Sequence, residues 1–231
     1  MGTDLTRRKL LGMAGTAVAA GAAPPLYAAR GNGVKIIGIS CSPRPGKTTA
    51  ASLRVALDAA KAAGPGVEVE LIELAGLRMD NEMTTGIPAE AGQRDDFPQV
   101  AAKLSDPRVA GIIVGTPVYF GNMSALCKTF LDRCMLFRSN NFALSNKVGG
   151  VLAVGGVRNG GQETTILSVL TALLSQEMVV VGDGRPTAHI GATVWNDGKN
   201  DVTQDEFGMS TARNLGRRVA EVALRMAAAA K

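Results

Sequence analysis

The chain has 231 residues, 46% of them apolar and 19% charged, with 28 glycines, three cysteines and a net charge of +5. That composition and length suit a globular chain with a sizeable core, and they exclude a disordered tail, a fibrous repeat and a disulfide scaffold. Three cysteines are too few for a zinc ribbon or a four-cysteine iron–sulfur cluster. Lys and Arg never gather in a block of five, so nucleic acid is not an expected partner.

The chain opens on what reads as an address. Thr6, Arg7, Arg8 and Lys9 precede an uncharged stretch, 10–29, rich in Ala and Gly, which ends in Pro24, Pro25 and the small pair Ala28 and Ala29. A basic start, a weakly apolar middle and a small-residue end are the parts of an export signal, and the adjacent arginines resemble the twin-arginine kind. The expectation is a twin-arginine signal peptide over 1–29, cleaved after Ala28 or Ala29. The domain over 30–231 would then work in the periplasm, or otherwise exported, after handling by the twin-arginine translocase. That route carries folded proteins, so a cofactor would be inserted first. An uncleaved anchor is the alternative; the stretch is nearly long enough to span a bilayer but poorly hydrophobic.

From residue 34 the pattern alternates. Residues 34–40 form a continuous apolar run and predict a buried strand. Leu53, Leu57 and Ala60 share one face of a predicted helix over 48–63, which Gly64, Pro65 and Gly66 stop. Residues 67–74 predict an edge or near-edge strand, 76–95 are polar without period, and a helix resumes over 96–104. Apolar strands are predicted at 109–115, 147–155 and 178–182, with helices at 124–135 and 162–175 between them. A last helix starts from Thr203, where Thr203 and Glu206 stand at capping-box spacing and Leu215, Val219, Val222 and Met226 make the buried stripe. Strands alternating with amphipathic helices predict an α/β domain: a doubly wound, five-stranded parallel sheet with helices on both faces.

Three loops leave the carboxyl ends of apolar strands, where open α/β sheets bind ligands. The first, 41–49, gathers Ser40, Ser42, Arg44, Lys47, Thr48 and Thr49 at a helix N-terminus, an environment that suits a phosphate. A nucleotide P-loop is one reading, because Gly46, Lys47 and Thr48 match the end of GxxxxGK[ST]. Cys41 stands where its first glycine belongs, and no apolar strand ends in the Asp that would hold magnesium.

The other reading comes with a resemblance. Ser42, Pro43, Arg44, Gly46, Lys47 and Thr48 are similar to the phosphate loop of the NADPH-dependent FMN reductase family, near its iron–sulfur flavoprotein and WrbA-like branches. The second loop, with Thr116, Pro117, Val118, Tyr119, Phe120 and Gly121, resembles the family's flavin-ring segment. The third, with Gly156, Arg158, Asn159 and Gly160, resembles its GGxRNGGQE segment. The family usually has Gly at Cys41 and Asn at Lys47. The resemblance implies a flavodoxin-like fold and FMN held by these residues. It also implies electron transfer from NAD(P)H or another donor to a small acceptor such as a quinone, metal ion, nitro or azo compound. A homodimer or homotetramer is implied as well, with the 74–97 segment reaching a neighbour's ring. The chemistry is consistent: Tyr119 and Phe120 offer a flat apolar neighbour to the ring and the N–H groups around Gly121 offer donors. Arg158 either offsets the charge of reduced flavin or is a solvated loop residue. Asn159 suits a left-handed turn position. A flavodoxin-type electron carrier without small-molecule substrate is the competing function, and a flavin- or ligand-binding module without turnover is a third. No cysteine lies between 74 and 97, so no cluster and no metal are expected. Cys127 and Cys134 stand about 10.5 Å apart along one predicted helix, too far to pair. Gln162 and Glu163 are expected to cap the helix that follows, and His189 to make a structural hydrogen bond in a loop, with a general acid role as the alternative.

Overall fold

The computed structural model describes residues 33–85 and 92–229. The expected signal segment and residues 86–91, with Gly86 and Pro88, lie outside the described residues. Strand β1 (Val34–Ser40) is buried at six of its seven positions, as a run without polar alternation requires when both faces are covered. Helix α1 (Thr48–Lys61) follows and lays Leu53, Leu57 and Ala60 against the sheet. β2 (Val67–Glu73) pairs with β1 over its whole length and forms the sheet edge, as its alternation predicts.

α2 (Phe97–Leu104) leads into β3 (Val109–Tyr119), which is four residues longer than the apolar run suggests. A two-residue strand, β4 (Asn122–Met123), folds back antiparallel on its end. The helix expected over 124–135 is divided into α3 (Ala125–Arg133) and α4 (Met135–Ser139). β5 (Val148–Gly155), α5 (Gln162–Leu174), β6 (Val179–Val180), β7 (Ala192–Trp195) and α6 (Glu206–Ala229) complete the chain.

The sheet order is β2-β1-β3-β5-β6. It has five parallel positions but seven strands, because the fifth position is split between β6 and β7 and β4 adds a short antiparallel strand on the end of β3. β6 pairs with the first residues of β5 (Val148 with Val179) and β7 with the last (Leu152 with Ala192 through Gly155 with Trp195). Between them the chain leaves the sheet and returns. The neck of this excursion is tight: a Cβ on Gly182 would stand 2.2 Å from the His189 carbonyl oxygen, and Asp183 N–H donates to that oxygen at 3.2 Å.

Two cores flank the sheet. One joins α1 and α6 to its first face, around Leu53, Leu57, Leu215 and Val219. The other joins α2 to α5 to the opposite face, around Phe97, Phe130, Phe137 and Ile166. Each fully buried side chain of this size contributes about 1.5–3 kcal/mol. The α1–α6 contact is close enough that a Cβ on Gly216 would fall 1.8 Å from the Ala56 carbonyl oxygen, so this position excludes any side chain. Cys41, Cys127 and Cys134 are buried thiols of the second core.

The capping box at Thr203 does not form. α6 starts at Glu206, and Asp205 takes the capping role, accepting Gly208 N–H at 3.0 Å; Thr203 N–H turns to Asp201 at 2.8 Å. The polar segment before α2 is tied down at its base. Arg78 N–H donates to the Asp96 carboxylate (2.9 Å), Asp96 N–H to the Arg78 carbonyl (2.7 Å), and the short 3-10 helix Glu82–Thr85 lies between. Arg133 holds the same base from α3 with two bonds to Asp95 (3.0 and 2.7 Å), one to the Asp80 carbonyl (3.0 Å) and a stack over Phe97 at 4.6 Å. This guanidinium holds the Asp95 carboxyl below the usual carboxylate range.

Candidate functional site: three loops at one sheet edge

β1, β3 and β5 are neighbours, so their carboxyl ends bring the three loops side by side. In the first, the opening hydrogen bond of α1 runs from Ala51 N–H to the Lys47 carbonyl at 2.9 Å. The N–H groups of Thr48, Thr49 and Ala50 therefore point out of the helix end, where the helix dipole favours an anion. Ser40 and Thr49 are buried, and the hydroxyls of both lack a hydrogen-bond partner. Buried hydroxyls are rarely left so, because each unpaired one costs about 1–3 kcal/mol. Ser42 is buried as well, but its hydroxyl already accepts Arg44 N–H at 3.1 Å. Arg44 and Lys47 are exposed, and Arg44 donates to the Asn200 side chain.

Two residues at this loop were not singled out from the sequence. Glu73 accepts Gly46 N–H at 2.7 Å and pairs with Arg54 at 3.2 Å. Its place follows from the parallel register, which sets Glu73 opposite Ser40. Asn200 comes from the loop after β7, and only the folded chain places it beside residue 44.

In the second loop Phe120 and Gly121 both adopt positive φ, +51° and +72°, between the paired strands β3 and β4. Two central residues at positive φ are what a tight hairpin turn of this twist demands, and Asn or Gly is the inexpensive choice there. Phenylalanine is not. Its side chain is also wholly exposed, at 108% of its reference area, with Tyr119 at 44% beside it. Left-handed backbone at a non-glycine residue is a conformation that clusters at functional sites. Thr116 and Pro117 are buried. The Thr116 hydroxyl is used internally: it donates to the Pro117 carbonyl (3.0 Å) and accepts Ser124 N–H (3.1 Å). Ser124 in turn caps α3 at Cys127 N–H (3.1 Å) and donates to the Cys41 carbonyl (2.7 Å), which joins loop two to loop one.

Loop three is pinned by Gln162. Its side chain accepts Gly160 N–H at 2.9 Å and donates to the Val157 carbonyl at 2.7 Å. This holds the loop rather than capping α5 from outside. Gly161, not Asn159, takes the left-handed position, with φ of +93°. A Cβ there would meet Gly121 Cα at 2.9 Å, and Thr164 Oγ1 lies 3.1 Å from the Gly121 carbonyl, so loops two and three touch. Gly156 and Asn159 are exposed and Gly160 is half-buried; Val118 is half-buried at the facing strand end. The Arg158 guanidinium is half exposed on this loop, pairs with the buried Asp205 and lies over Trp195 at 5.5 Å. Beyond this loop a cleft of about 440 Å³ opens between the α5 and α6 N-termini.

Residues 34–193 match the family described as NADPH-dependent FMN reductase. The chain belongs to the NADPH-dependent FMN reductase family. An iron-sulfur flavoprotein of Methanocaldococcus jannaschii is 44% identical over 192 residues, covering 82% of this chain and 97% of its own. An NAD(P)H dehydrogenase (quinone) of Chromohalobacter salexigens is 32% identical over 181 residues, covering 70% of this chain and 85% of its own. In fold, the chain is similar to a flavodoxin, WrbA-like protein from Agrobacterium tumefaciens. The TM-score is 0.54 at 20% identity, covering 84% of this chain and 99% of that one. The expected flavodoxin-like sheet is therefore the fold.

The residues present fit the family's FMN. The unpaired Ser40 and Thr49 hydroxyls, the three outward N–H groups of α1 and the cation of Lys47 form the cradle a flavin phosphate needs. Cys41 beneath the cradle is a core thiol rather than a nucleophile. Burial pushes its pKa well above the ordinary range and the neighbouring Cys127 thiol adds to this.

Proposed function

We propose that the chain holds one FMN across the three loops and passes electrons from NAD(P)H or another donor to a small acceptor, as a flavin or quinone reductase. The observation that carries the cofactor assignment is the pair of buried hydroxyls without partners beside the open end of α1. Ser40, Thr48, Thr49 and Lys47 would take the phosphate, Arg44 exchanging Asn200 for it. Tyr119 and Phe120 would flank the ring, with donors from the Gly121 and Gly160 region. A flavin held there would supply two-electron chemistry, including exchange of hydride with a nicotinamide. The protein orients it and limits water. The quinone acceptor is favoured by the 32% identity to an NAD(P)H dehydrogenase (quinone). The cleft beside loop three favours an enzyme over an electron carrier, which needs no substrate space.

Further parts of the proposal concern the protein's setting. It works without an iron–sulfur cluster, because this sequence has three cysteines and all are buried among apolar side chains. It is exported through the paired Arg7 and Arg8 and acts outside the cytoplasm, and it assembles as a homodimer or homotetramer. The deciding experiment is the absorbance spectrum of purified protein, identification of the released cofactor and stopped-flow mixing with NADH and NADPH. Bound FMN bleached by a nicotinamide supports the reading. FAD, ATP or no cofactor after reconstitution rejects it.

A further inference from the structure

The cleft beyond loop three contains a histidine held by a buried carboxylate. Asp183, fully buried at the neck of the excursion between β6 and β7, accepts the His189 backbone N–H, and its Oδ2 lies 3.4 Å from His189 Nδ1. The Thr187 hydroxyl also donates to this carboxylate and is itself held by Asn214 Nδ2 at 2.8 Å. A carboxylate only accepts, so this network places a hydrogen on Nδ1 and leaves Nε2 for the cleft that the ring lines. Phe207 meets the imidazole edge-on at 5.7 Å and 84° and is half exposed. Trp195 lines the cleft with Arg158 stacked above it.

Two flat apolar walls, an imidazole nitrogen and a guanidinium therefore surround a space of about 440 Å³, within the roughly 300–1,000 Å³ of small-molecule sites. We propose that this cleft is the substrate subsite and takes a planar aromatic ring carrying oxygen substituents, of the quinone–hydroquinone kind. The ring lies against Trp195 and Phe207. One oxygen meets His189 Nε2, which accepts from a phenolic O–H while Nδ1 faces Asp183. The other oxygen meets Arg158. The cleft shares Arg158, Asn159 and Gly161 with the third loop, so a ring bound here is next to the flavin. The inference deepens the flavin-reductase reading and rests on it for its role, although binding can be tested without turnover.

The test is titration of the FMN-loaded chain with anthraquinone-2-sulfonate in the absence of any reductant, by equilibrium dialysis and by emission of Trp195, the only tryptophan. Saturable binding with quenching of Trp195 is expected. Phe207→Ala should weaken it about tenfold, from the loss of one aromatic wall. His189→Gln should weaken it about fivefold, from the loss of one hydrogen bond. Met135→Ala, at an exposed position on α4, should change nothing. No saturable binding, equal affinity in both cleft variants, or displacement of the probe by free FMN would each overturn the assignment. FMN content measured in the same samples separates the two readings. FMN present without probe binding removes the cleft and keeps the cofactor; probe bound in protein that cannot take FMN does the reverse.

Discussion

Phe120→Gly offers a direct way to separate strain from function. An L-residue in the left-handed region costs about 1–2 kcal/mol, and Phe120 occupies it at φ +51°. Glycine removes that cost but adds about 0.5–1 kcal/mol of unfolded-chain entropy. No burial is lost, because the ring is wholly exposed; a buried Phe truncated to a small residue would cost about 3–5 kcal/mol. The flavin-free variant should therefore be as stable as the parent or gain about 1 kcal/mol, a rise of up to about 4 °C in Tm. FMN affinity should fall at the same time. A ring stack contributes about 0.5–1.5 kcal/mol beyond area, so the loss is about two- to tenfold. Thermal melts of the flavin-free protein and quenching of FMN fluorescence give the two numbers. A destabilisation above about 2 kcal/mol in the flavin-free protein would mean that Phe120 packs against the fold. Unchanged FMN affinity would mean that the strained turn serves something other than the flavin.

Thr49→Val removes a buried hydroxyl that has no partner. It should leave flavin-free stability equal or up to about 1 kcal/mol higher while weakening FMN binding about tenfold, and equal affinity by fluorescence titration refutes the phosphate assignment. Lys147 is buried with Nζ 2.6 Å from the Val109 carbonyl, and burial pulls its pKa from 10.5 down to about 8. Between these two values the unfolded chain binds the extra proton, so stability should rise with pH by up to about 1.4 kcal/mol per unit. Lys147→Met should flatten that rise in denaturant melts between pH 8 and 10.5, and a slope equal to the parent's sinks the argument. Arg7→Lys with Arg8→Lys should leave flavin-loaded precursor in the cytoplasm; normal processing and export of the double variant would show that 1–29 is not a twin-arginine signal.

The strands and the three loops were legible because continuous apolar runs such as 34–40 and 148–155 leave few alternatives, and glycine and hydroxyl residues follow each run. What was hidden depends on partners far along the chain. The fifth sheet position was read as one strand at 178–182, yet only Val179 and Val180 pair, and Ala192–Trp195 supplies the rest. Nothing local in 181–191 announces a return to the same neighbour. Thr203 and Asp205 are both good capping residues. The helix starts after Asp205 because its carboxylate also serves Trp195 N–H at 2.7 Å and Arg158, from residues 10 and 47 positions away. The pairing of Arg158 with Asp205 was hidden for the same reason. The turn at Phe120 was read as an aromatic pair without its left-handed backbone, and in the third loop the left-handed position was expected of Asn159, the residue type that often bears it, but falls to Gly161. The 74–97 segment was read as reaching a neighbour's ring; the fastening of its base by Arg133 and Asp96 was not visible in the sequence.

These distant partners have a common effect on the site. Ser124 ties the second loop to Cys41 of the first, Thr164 ties the third to Gly121 of the second, and Asp205 ties Arg158 to α6. Each loop is therefore held by a side chain from another element as well as by its own residues. Ordering a loop costs roughly 1–2 kcal/mol per residue, and a flavin arriving at loops already ordered does not have to supply that free energy. Glu73 extends the argument to the phosphate loop. Its carboxylate on Gly46 N–H, offset by Arg54, holds the turn in shape and occupies one donor, while the three N–H groups at the start of α1 are left for the ligand. The backbone at loop one is thus divided between a donor that maintains the turn and donors that bind. The strained Phe120 is the exception: its conformation is imposed by the β3–β4 pairing, and its exposed ring gains nothing until something stacks on it.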